Sequence, residues 1–243
     1  MQRRLIVAAA AVTALALLAL GGAAVFLDGD PKAAPKPVQL ADATMIVEIN
    51  ATDGDAGLQV FLDGEAWRSM TVSDPSGDRI LSFGAEGRVA NFGLTELFSE
   101  SSEPPFTEFP LERFKALFPE GTYRFSGTTA SGQQVVGTAT LTHRFPDGPE
   151  IVAPADGDRV SRDDVVARWR PVTTPAGIDI VGYRVIVTRE NPLRVFNADL
   201  PASASRMAIP AEFLGARTEY KLEVQAIESG GNQTLTEVTF VVR

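Results

Sequence analysis

Apolar residues recur at every second position along most of this chain, which is the period of a β-strand with one face in water. The alternation is clearest over residues 165–243, where polar side chains such as Arg168, Lys221 and Glu223 occupy the positions in between. The apolar positions there are Val165, Ala167, Trp169, Tyr183, Val185, Val187, Tyr220, Leu222, Val224, Ala226, Val238, Phe240 and Val242. Turns rich in Gly, Pro and Asp separate such strands, so the pattern predicts an all-β protein made of β-sandwiches.

A short motif occurs twice and predicts how many sandwiches there are. Leu117 precedes Tyr123 by six residues, and Leu214 precedes Tyr220 by the same distance. A tyrosine so placed can fold its hydroxyl back onto the backbone while its ring packs in the core. The repeat therefore predicts two tandem sandwich domains, residues 42–145 and residues 146–243.

Residues 90–118 depart from strand alternation. Leu94, Leu97 and Phe98 have helical spacing, as do the apolar residues of 111–118, so we predict a short helical insert in the first sandwich. Its rings either fill the open end of the sandwich or form an apolar patch that binds a partner, since long insertions often carry binding. The phenylalanines here are Phe92, Phe98, Phe106, Phe109, Phe114 and Phe118; Phe98, Phe106 and Phe109 are the candidate binding residues.

The amino terminus has the pattern of an export signal. Arg3 and Arg4 precede an apolar run over residues 5–27, which at about 1.5 Å per residue is long enough to cross a bilayer. Residues 1–27 are either a cleaved signal peptide or an uncleaved signal anchor, and residues 28–41 form a proline-rich linker. We therefore expect export across the cytoplasmic membrane of a bacterial-type envelope. An uncleaved segment would anchor the protein in the membrane by a single pass, facing the periplasm or the cell exterior. A cleaved segment would leave the protein periplasmic or secreted.

Composition removes most catalytic chemistry. The chain has no cysteine and one histidine, His143, so thiolate sites, disulfides and multi-histidine metal sites are excluded. No Gly-x-Ser-x-Gly elbow is present, and His143 is expected to be a solvated residue of the linker between the domains. The net charge of −9 disfavours nucleic acid and anionic lipid headgroups as partners. We predict no catalytic residue, no cofactor and no enzyme activity.

Two groups of residues could nevertheless bind a ligand. Glu48, Asn50, Asp53 and Asp55 gather hard oxygen atoms at a strand end, which calcium prefers, but they lack EF-hand spacing and Asp-Gly is ordinary turn chemistry. We interpret them as a turn and predict no metal site. Trp67 lies just before a predicted strand, where it either packs against the sandwich edge or stacks on a sugar ring as a candidate binding residue.

The C-terminal domain resembles a fibronectin type III domain over residues 146–243. The resemblance is carried by Trp169-Arg-Pro171, Tyr183, the spacing from Leu214 to Tyr220, Val224-Gln-Ala226 and Gly230-Gly-Asn232. The N-terminal domain looks immunoglobulin-like. Ala216 and Arg217 depart from the family pattern, because Pro and Gly are common at those positions, and the loop of residues 228–233 has no Arg-Gly-Asp tripeptide.

This resemblance implies a fold and a role as a spacer or binding module, and it implies no enzyme activity. We therefore predict a non-catalytic exported envelope protein that acts as a protein-binding or spacer module. Its expected partner is another envelope or extracellular protein. The alternative is an accessory carbohydrate-binding module of the envelope, which would use Trp67.

Overall fold

The computed structural model describes residues 35–243, and the predicted signal segment 1–27 lies outside this range together with residues 28–34 of the linker. The described chain is mostly strand, with one α-helix and two short 3₁₀ helices, at Gly87–Asn91 and Arg162–Asp164. The elements are β1 Val38–Gln39, β2 Asp42–Asn50, β3 Asp55–Ser73, β4 Arg79–Gly84, β5 Leu94–Glu100, α1 Leu111–Leu117, β6 Gly121–Thr129, β7 Gln134–Leu141, β8 Ile151–Ala153, β9 Asp158–Val160, β10 Val166–Trp169, β11 Ile180–Arg189, β12 Arg194–Pro201, β13 Arg206–Ala208, β14 Thr218–Glu228 and β15 Gln233–Val242. Within residues 35–243, no helix has the length and apolar character needed to cross a membrane.

The strands form two sheets. The larger has twelve strands, with the main order β1-β7-β6-β3-β2-β15-β14-β11-β12, and the smaller has the order β13-β10-β8. The long strand β3 pairs with β2 and β5 near its start and with β4 and β6 near its end, so it contributes to both layers around the first core. The prediction of an all-β sandwich fold is confirmed.

Two separate hydrophobic clusters form the interior. The first includes Met45, Leu62 and Phe125 and draws its residues from the stretch 38–145, here called the N-terminal half. The second includes Val185, Leu222 and Phe240 and draws its residues from the stretch 151–242, within residues 146–243, here called the C-terminal half. In the second cluster Trp169 packs against Tyr183 with ring centroids 5.4 Å apart, so the strand pattern placed these aromatic residues correctly.

Both predicted tyrosine corners are present. Tyr123 is fully buried, and its hydroxyl donates a hydrogen bond of 2.9 Å to the carbonyl oxygen of Pro119. The Tyr220 hydroxyl instead accepts a hydrogen bond of 2.7 Å from the backbone N–H of Gly215. Arg217 has a φ of 55°, in the left-handed region that favours glycine, which explains why its position is one where glycine is common.

The helical insert is only partly as predicted. The helix over residues 111–118 is confirmed as α1, in which Phe114 is buried and Leu117 is 58% exposed. The helical interpretation of Leu94, Leu97 and Phe98 is wrong, because these residues belong to β5. Phe98 lies opposite Phe61 and Leu97 opposite Leu62, so pairing with β3 overrides the local helical spacing.

Trp67 lies inside β3 rather than just before a strand, and of the two alternatives for its ring the structure has the packed one. Its side chain is 0% exposed and meets Phe83 edge-on, with ring centroids 5.6 Å apart. The pairing register shifts between Asp63 and Trp67 and again between Trp67 and Ser69. These irregularities change which face of the strand points inward, so simple alternation from Leu62 could not place the tryptophan.

The end of the predicted linker is part of the sheet. Val38 and Gln39 form β1, which pairs in parallel with β7. The backbone N–H groups of Leu40 and Ala41 donate hydrogen bonds of 2.9 Å to the carbonyl oxygens of Val136 and Asp63, respectively. Residues 38–41 therefore belong to the folded N-terminal half rather than to a free spacer.

Candidate functional site

The candidate site is the junction between the two halves, where β2 and β15 pair in parallel. Gln233 lies beside Glu48, Thr234 beside Ile49 and Leu235 beside Asn50. The backbone N–H of Ala51 extends the ladder with a hydrogen bond of 2.9 Å to the carbonyl oxygen of Leu235. The twelve-stranded sheet therefore continues from one half into the other.

The loop between β14 and β15 is shaped for this contact. Glu228, only 1% exposed, accepts hydrogen bonds from the backbone N–H groups of Gly230 at 2.8 Å and Asn232 at 3.2 Å. Gly231 has a φ of 96°, and a Cβ there would lie 3.0 Å from Ile46, so glycine suits both the turn and the close approach. The loop thus presents the side chain of Asn232 to the N-terminal half.

Asn232 uses both ends of its amide to join the halves. Its Oδ1 accepts a hydrogen bond of 2.9 Å from the backbone N–H of Val47. Its Nδ2 lies within donating distance of the carbonyl oxygens of Thr142 at 2.9 Å and Arg144 at 3.1 Å, and of the Thr142 hydroxyl at 3.1 Å. Asn232 is 0% exposed, so these bonds form away from bulk water.

A second polar contact lies further along the same strands and centres on Glu48, which is 3% exposed. Its Oε2 accepts hydrogen bonds from the side-chain nitrogens of Gln233 at 2.5 Å and Gln225 at 3.0 Å. Gln233 Nε2 also lies 3.3 Å from Gln59 Oε1, and Gln59 Nε2 donates to Glu100 at 2.8 Å. Amides from the C-terminal half thus meet a buried carboxyl of the N-terminal half.

Glu48 has an unusual protonation equilibrium. Burial, followed by the nearby carboxylates of Glu100, Glu103 and Glu223, raises its pKa from 4.5 to about 8, and the hydrogen bond with Gln59 opposes this only in part. Carboxylate oxygens of Glu48, Glu100 and Glu103 lie within 4.8 Å of one another, so these residues could hold a cation. At neutral pH Glu48 is therefore mainly protonated in the absence of a bound cation.

The calcium group considered from sequence is not assembled as a single site. Asn50 Oδ1 accepts hydrogen bonds from the backbone N–H groups of Thr52 at 2.9 Å and Asp53 at 3.1 Å, which is the geometry of an Asx turn. Glu48 is directed instead toward Glu100 and Glu103. The turn interpretation of Asn50 and Asp53 agrees with this geometry.

The three candidate phenylalanines are half-buried and do not form one open patch. Phe98 lies in β5, Phe106 lies above the turn at Gly54, and Phe109 lies under the Arg113 guanidinium at 4.8 Å. The large exposed ring of this region is Phe92, 78% exposed, near Val89, 48% exposed. Sequence reasoning did not select Phe92 as a binding residue, although its position in a glycine-flanked turn was a usable signal.

His143 is less solvated than expected. It is half-buried, and its Nε2 lies 2.8 Å from the carbonyl oxygen of Phe118, which assigns the ring proton to Nε2. The ring also borders an open depression of about 410 Å³ lined by His143, Arg144, Phe145, Pro175, Ala176, Gly177 and Ile178. This depression holds no nucleophile beside the histidine, so its geometry does not suggest a reaction.

The junction residues Asn232, Gln225 and Gln233 were not found by sequence reasoning. The only signal was a run of polar residues on the outward face of β14 and at the start of β15. Such a run normally indicates a face in water, and nothing in the sequence indicates that the N-terminal half covers it.

No family model matches this chain, and no curated protein matches it. Solved structures similar to it include a two-domain fibronectin type III segment of chicken tenascin. That match has 11% identity and a TM-score of 0.30, and it covers 84% of this chain and 97% of the tenascin segment. The FN1–FN3 domains of chicken CNTN1 match with 12% identity and a TM-score of 0.31, over 86% of this chain and 66% of the CNTN1 chain. A bacterial ice-binding adhesin matches with 14% identity and a TM-score of 0.26, over 86% of this chain and 67% of the adhesin chain. The tenascin and CNTN1 neighbours are fibronectin type III structures, as the sequence motifs predict. At these TM-scores the neighbours carry no argument about function.

Proposed function

We propose that this protein is a non-catalytic exported envelope protein in which two β-sandwich domains, residues 42–145 and 146–243, form one stiff spacer or protein-binding module. The observation that carries this proposal is the buried polar junction. Asn232 joins three backbone positions of the N-terminal half, and strands β2 and β15 pair directly. The buried groups that Asn232 pairs favour one relative orientation, because any other orientation leaves them without partners in a dry interior.

The connection between the halves supports the same role. Pro146 and Pro149 are buried, and a Cβ at Gly148 would lie 2.7 Å from the Ala51 side chain and 2.5 Å from the Thr236 hydroxyl. The connecting chain is therefore packed into the junction instead of acting as a loose tether. A spacer that keeps its length and direction needs such a connection, whereas domains joined by exposed flexible linkers reorient freely.

The protein-binding part of the proposal needs an exposed apolar contact, and Phe92 with Val89 provides a small one. The carbohydrate-binding alternative relied on Trp67 as an open ring, and the burial of that ring gives the alternative no support.

Small-angle X-ray scattering of the purified protein tests the stiff spacer. We expect one scattering profile that fits a fixed arrangement of the two halves, and an Asn232→Ala variant that broadens the distance distribution while each half stays folded. An equally broad distribution in the wild-type protein would reject a stiff module.

Export is tested separately with a phosphatase reporter that is active only outside the cytoplasm, fused after Arg243. We expect activity from the full chain and none when residues 2–27 are deleted. Activity that survives this deletion would exclude an export signal in that segment.

A further inference from the structure

Three carboxylates converge at the junction from different parts of the N-terminal half. Glu48 lies near the end of β2, Glu100 ends β5, and Glu103 follows in the next loop. One carboxylate oxygen of each lies within 4.8 Å of the others. Oxygens on opposite sides of a calcium ion are about 4.6–5.2 Å apart, and across magnesium about 4.0–4.2 Å apart, which is twice the metal–oxygen distance. Because the three oxygens are separated by no more than 4.8 Å, they are close enough to share one calcium ion.

A neutral oxygen donor is available next to this group. Gln225 is 3% exposed, and its Nε2 lies 3.0 Å from Glu48 Oε2, so the amide adjoins the cluster with its nitrogen toward Glu48. A half-turn of the amide group would bring its oxygen to that position. The other amide atom, Oε1, is buried and accepts no hydrogen bond. A buried oxygen without a donor is unfavourable, and coordination to a cation is one way to satisfy it.

A glycine allows the third carboxylate to reach the group. Gly57 pairs with Glu48 across β2 and β3. A Cβ at Gly57 would lie 2.8 Å from Glu103 Oε1 and 3.0 Å from Glu103 Cγ. Any other residue at this position would push Glu103 away, and the backbone φ of Gly57 does not itself require glycine.

From this convergence of three carboxylates, the buried amide oxygen and the glycine-lined space, we propose that Glu48, Glu100 and Glu103 bind one calcium ion, with the amide of Gln225 beside it. The ion would neutralise carboxylates of the N-terminal half at the point where they meet the C-terminal half. Calcium binding would therefore strengthen the junction.

The electrostatics of the cluster are consistent with a bound cation. Mutual repulsion with Glu100 and Glu103 contributes to the raised pKa of Glu48, after the larger effect of burial. A divalent ion among these oxygens reverses that repulsion and favours the ionised carboxylates. This group is different from Asn50 and Asp53, whose hydrogen bonds form a turn.

The test is a calcium titration of the full chain after chelator treatment, followed by thermal unfolding and calorimetry at pH 8. Calcium is expected to raise the melting temperature with a saturable heat of binding near one ion per chain, and magnesium is expected to bind more weakly. Glu103→Gln and Gly57→Ala should each abolish the calcium-dependent rise. Glu96→Gln, an exposed change on β5, and Asp53→Asn should leave it unchanged.

The measurements have clear contrary outcomes. If millimolar calcium changes neither the melting temperature nor the heat signal of the wild-type chain, the proposed site does not exist. If calcium binding survives Glu103→Gln but is lost in Asp53→Asn, the ion binds at the turn and the assignment to Glu48, Glu100 and Glu103 is wrong. Melting curves recorded with chelator present establish that each variant is folded before calcium is added.

Discussion

The Asn232 side-chain oxygen accepts a hydrogen bond of 2.9 Å from the backbone N–H of Val47, 185 positions earlier in the chain. The same amide reaches the backbone just after β7, at Thr142 and Arg144. The Asn232 side chain therefore holds the loop between β14 and β15 against two parts of the N-terminal half, strand β2 and the segment that follows β7. Because it is fully buried, it has no water to replace these partners.

Asn232→Ala is expected to lower the free energy of unfolding by about 1–3 kcal/mol, because it leaves buried backbone groups without partners. The change can be measured by urea denaturation, and hydrogen exchange of the Val47 amide should become faster. The matched control is Asn91→Ala, at an exposed position, which should change stability by no more than about 0.5 kcal/mol. Unchanged protection of the Val47 amide in Asn232→Ala would contradict the proposed role of this residue.

The stability of the calcium-free protein should depend on pH through Glu48. The pKa of Glu48 is about 8 in the folded protein, against an ordinary value of 4.5. Between pH 4.5 and pH 8 the folded protein therefore keeps a proton that the unfolded chain has released. The stability linked to this proton is fully present below about pH 4.5 and is lost as the pH rises to about 8.

Glu48→Gln provides the comparison, since an amide cannot ionise but can still accept from Gln225 and Gln233. Unfolding in urea with chelator present, measured between pH 5 and pH 8.5, should show a smaller decline for this variant than for the wild type. Parallel pH profiles for the two proteins would rule out Glu48 as the source of the decline.

The two tyrosine corners use their hydroxyls in opposite ways, which predicts different costs for removing them. Tyr220→Phe leaves the N–H of Gly215 without its acceptor, whereas Tyr123→Phe leaves the Pro119 carbonyl oxygen without one donor. Buried N–H groups tolerate the loss of a partner less well than carbonyl oxygens do. Each change should cost about 0.5–1.5 kcal/mol by chemical denaturation, with Tyr220→Phe the larger, and the reverse order would contradict this explanation.

Trp67 and Phe92 should respond in opposite ways to truncation. Trp67→Ala empties a fully buried space and is expected to cost about 3–5 kcal/mol of stability. Phe92→Ala removes a ring that is 78% exposed and should change stability by no more than about 0.5 kcal/mol. Thermal unfolding of both variants checks this contrast, and a stable Trp67→Ala protein would contradict the burial of the indole.

Local side-chain patterns were enough to predict most strands and the tyrosine corners. Tyr183, Val185 and Val187 are fully or almost fully buried, as alternation predicts, because each strand must turn one face toward an apolar interior. Alternation failed at Trp67, where irregular pairing changes the inward face. It also failed at Leu94, whose spacing to Leu97 fits a helix as well as a strand until β3 supplies a pairing partner.

The candidate site depended on long-range contacts that no local pattern records. From the sequence alone, Gln225 and Gln233 are expected on solvent-exposed faces, and Glu48 is expected at a turn-rich strand end. These assignments follow because polar side chains are usually hydrated. In the folded chain these residues are at most 3% exposed, because the two halves pack over them. The sequence by itself determined the strand periodicity and the sandwich class, since both arise from neighbouring residues. Only the tertiary structure decided which polar residues lose their water, because that depends on how residues nearly two hundred positions apart are brought together.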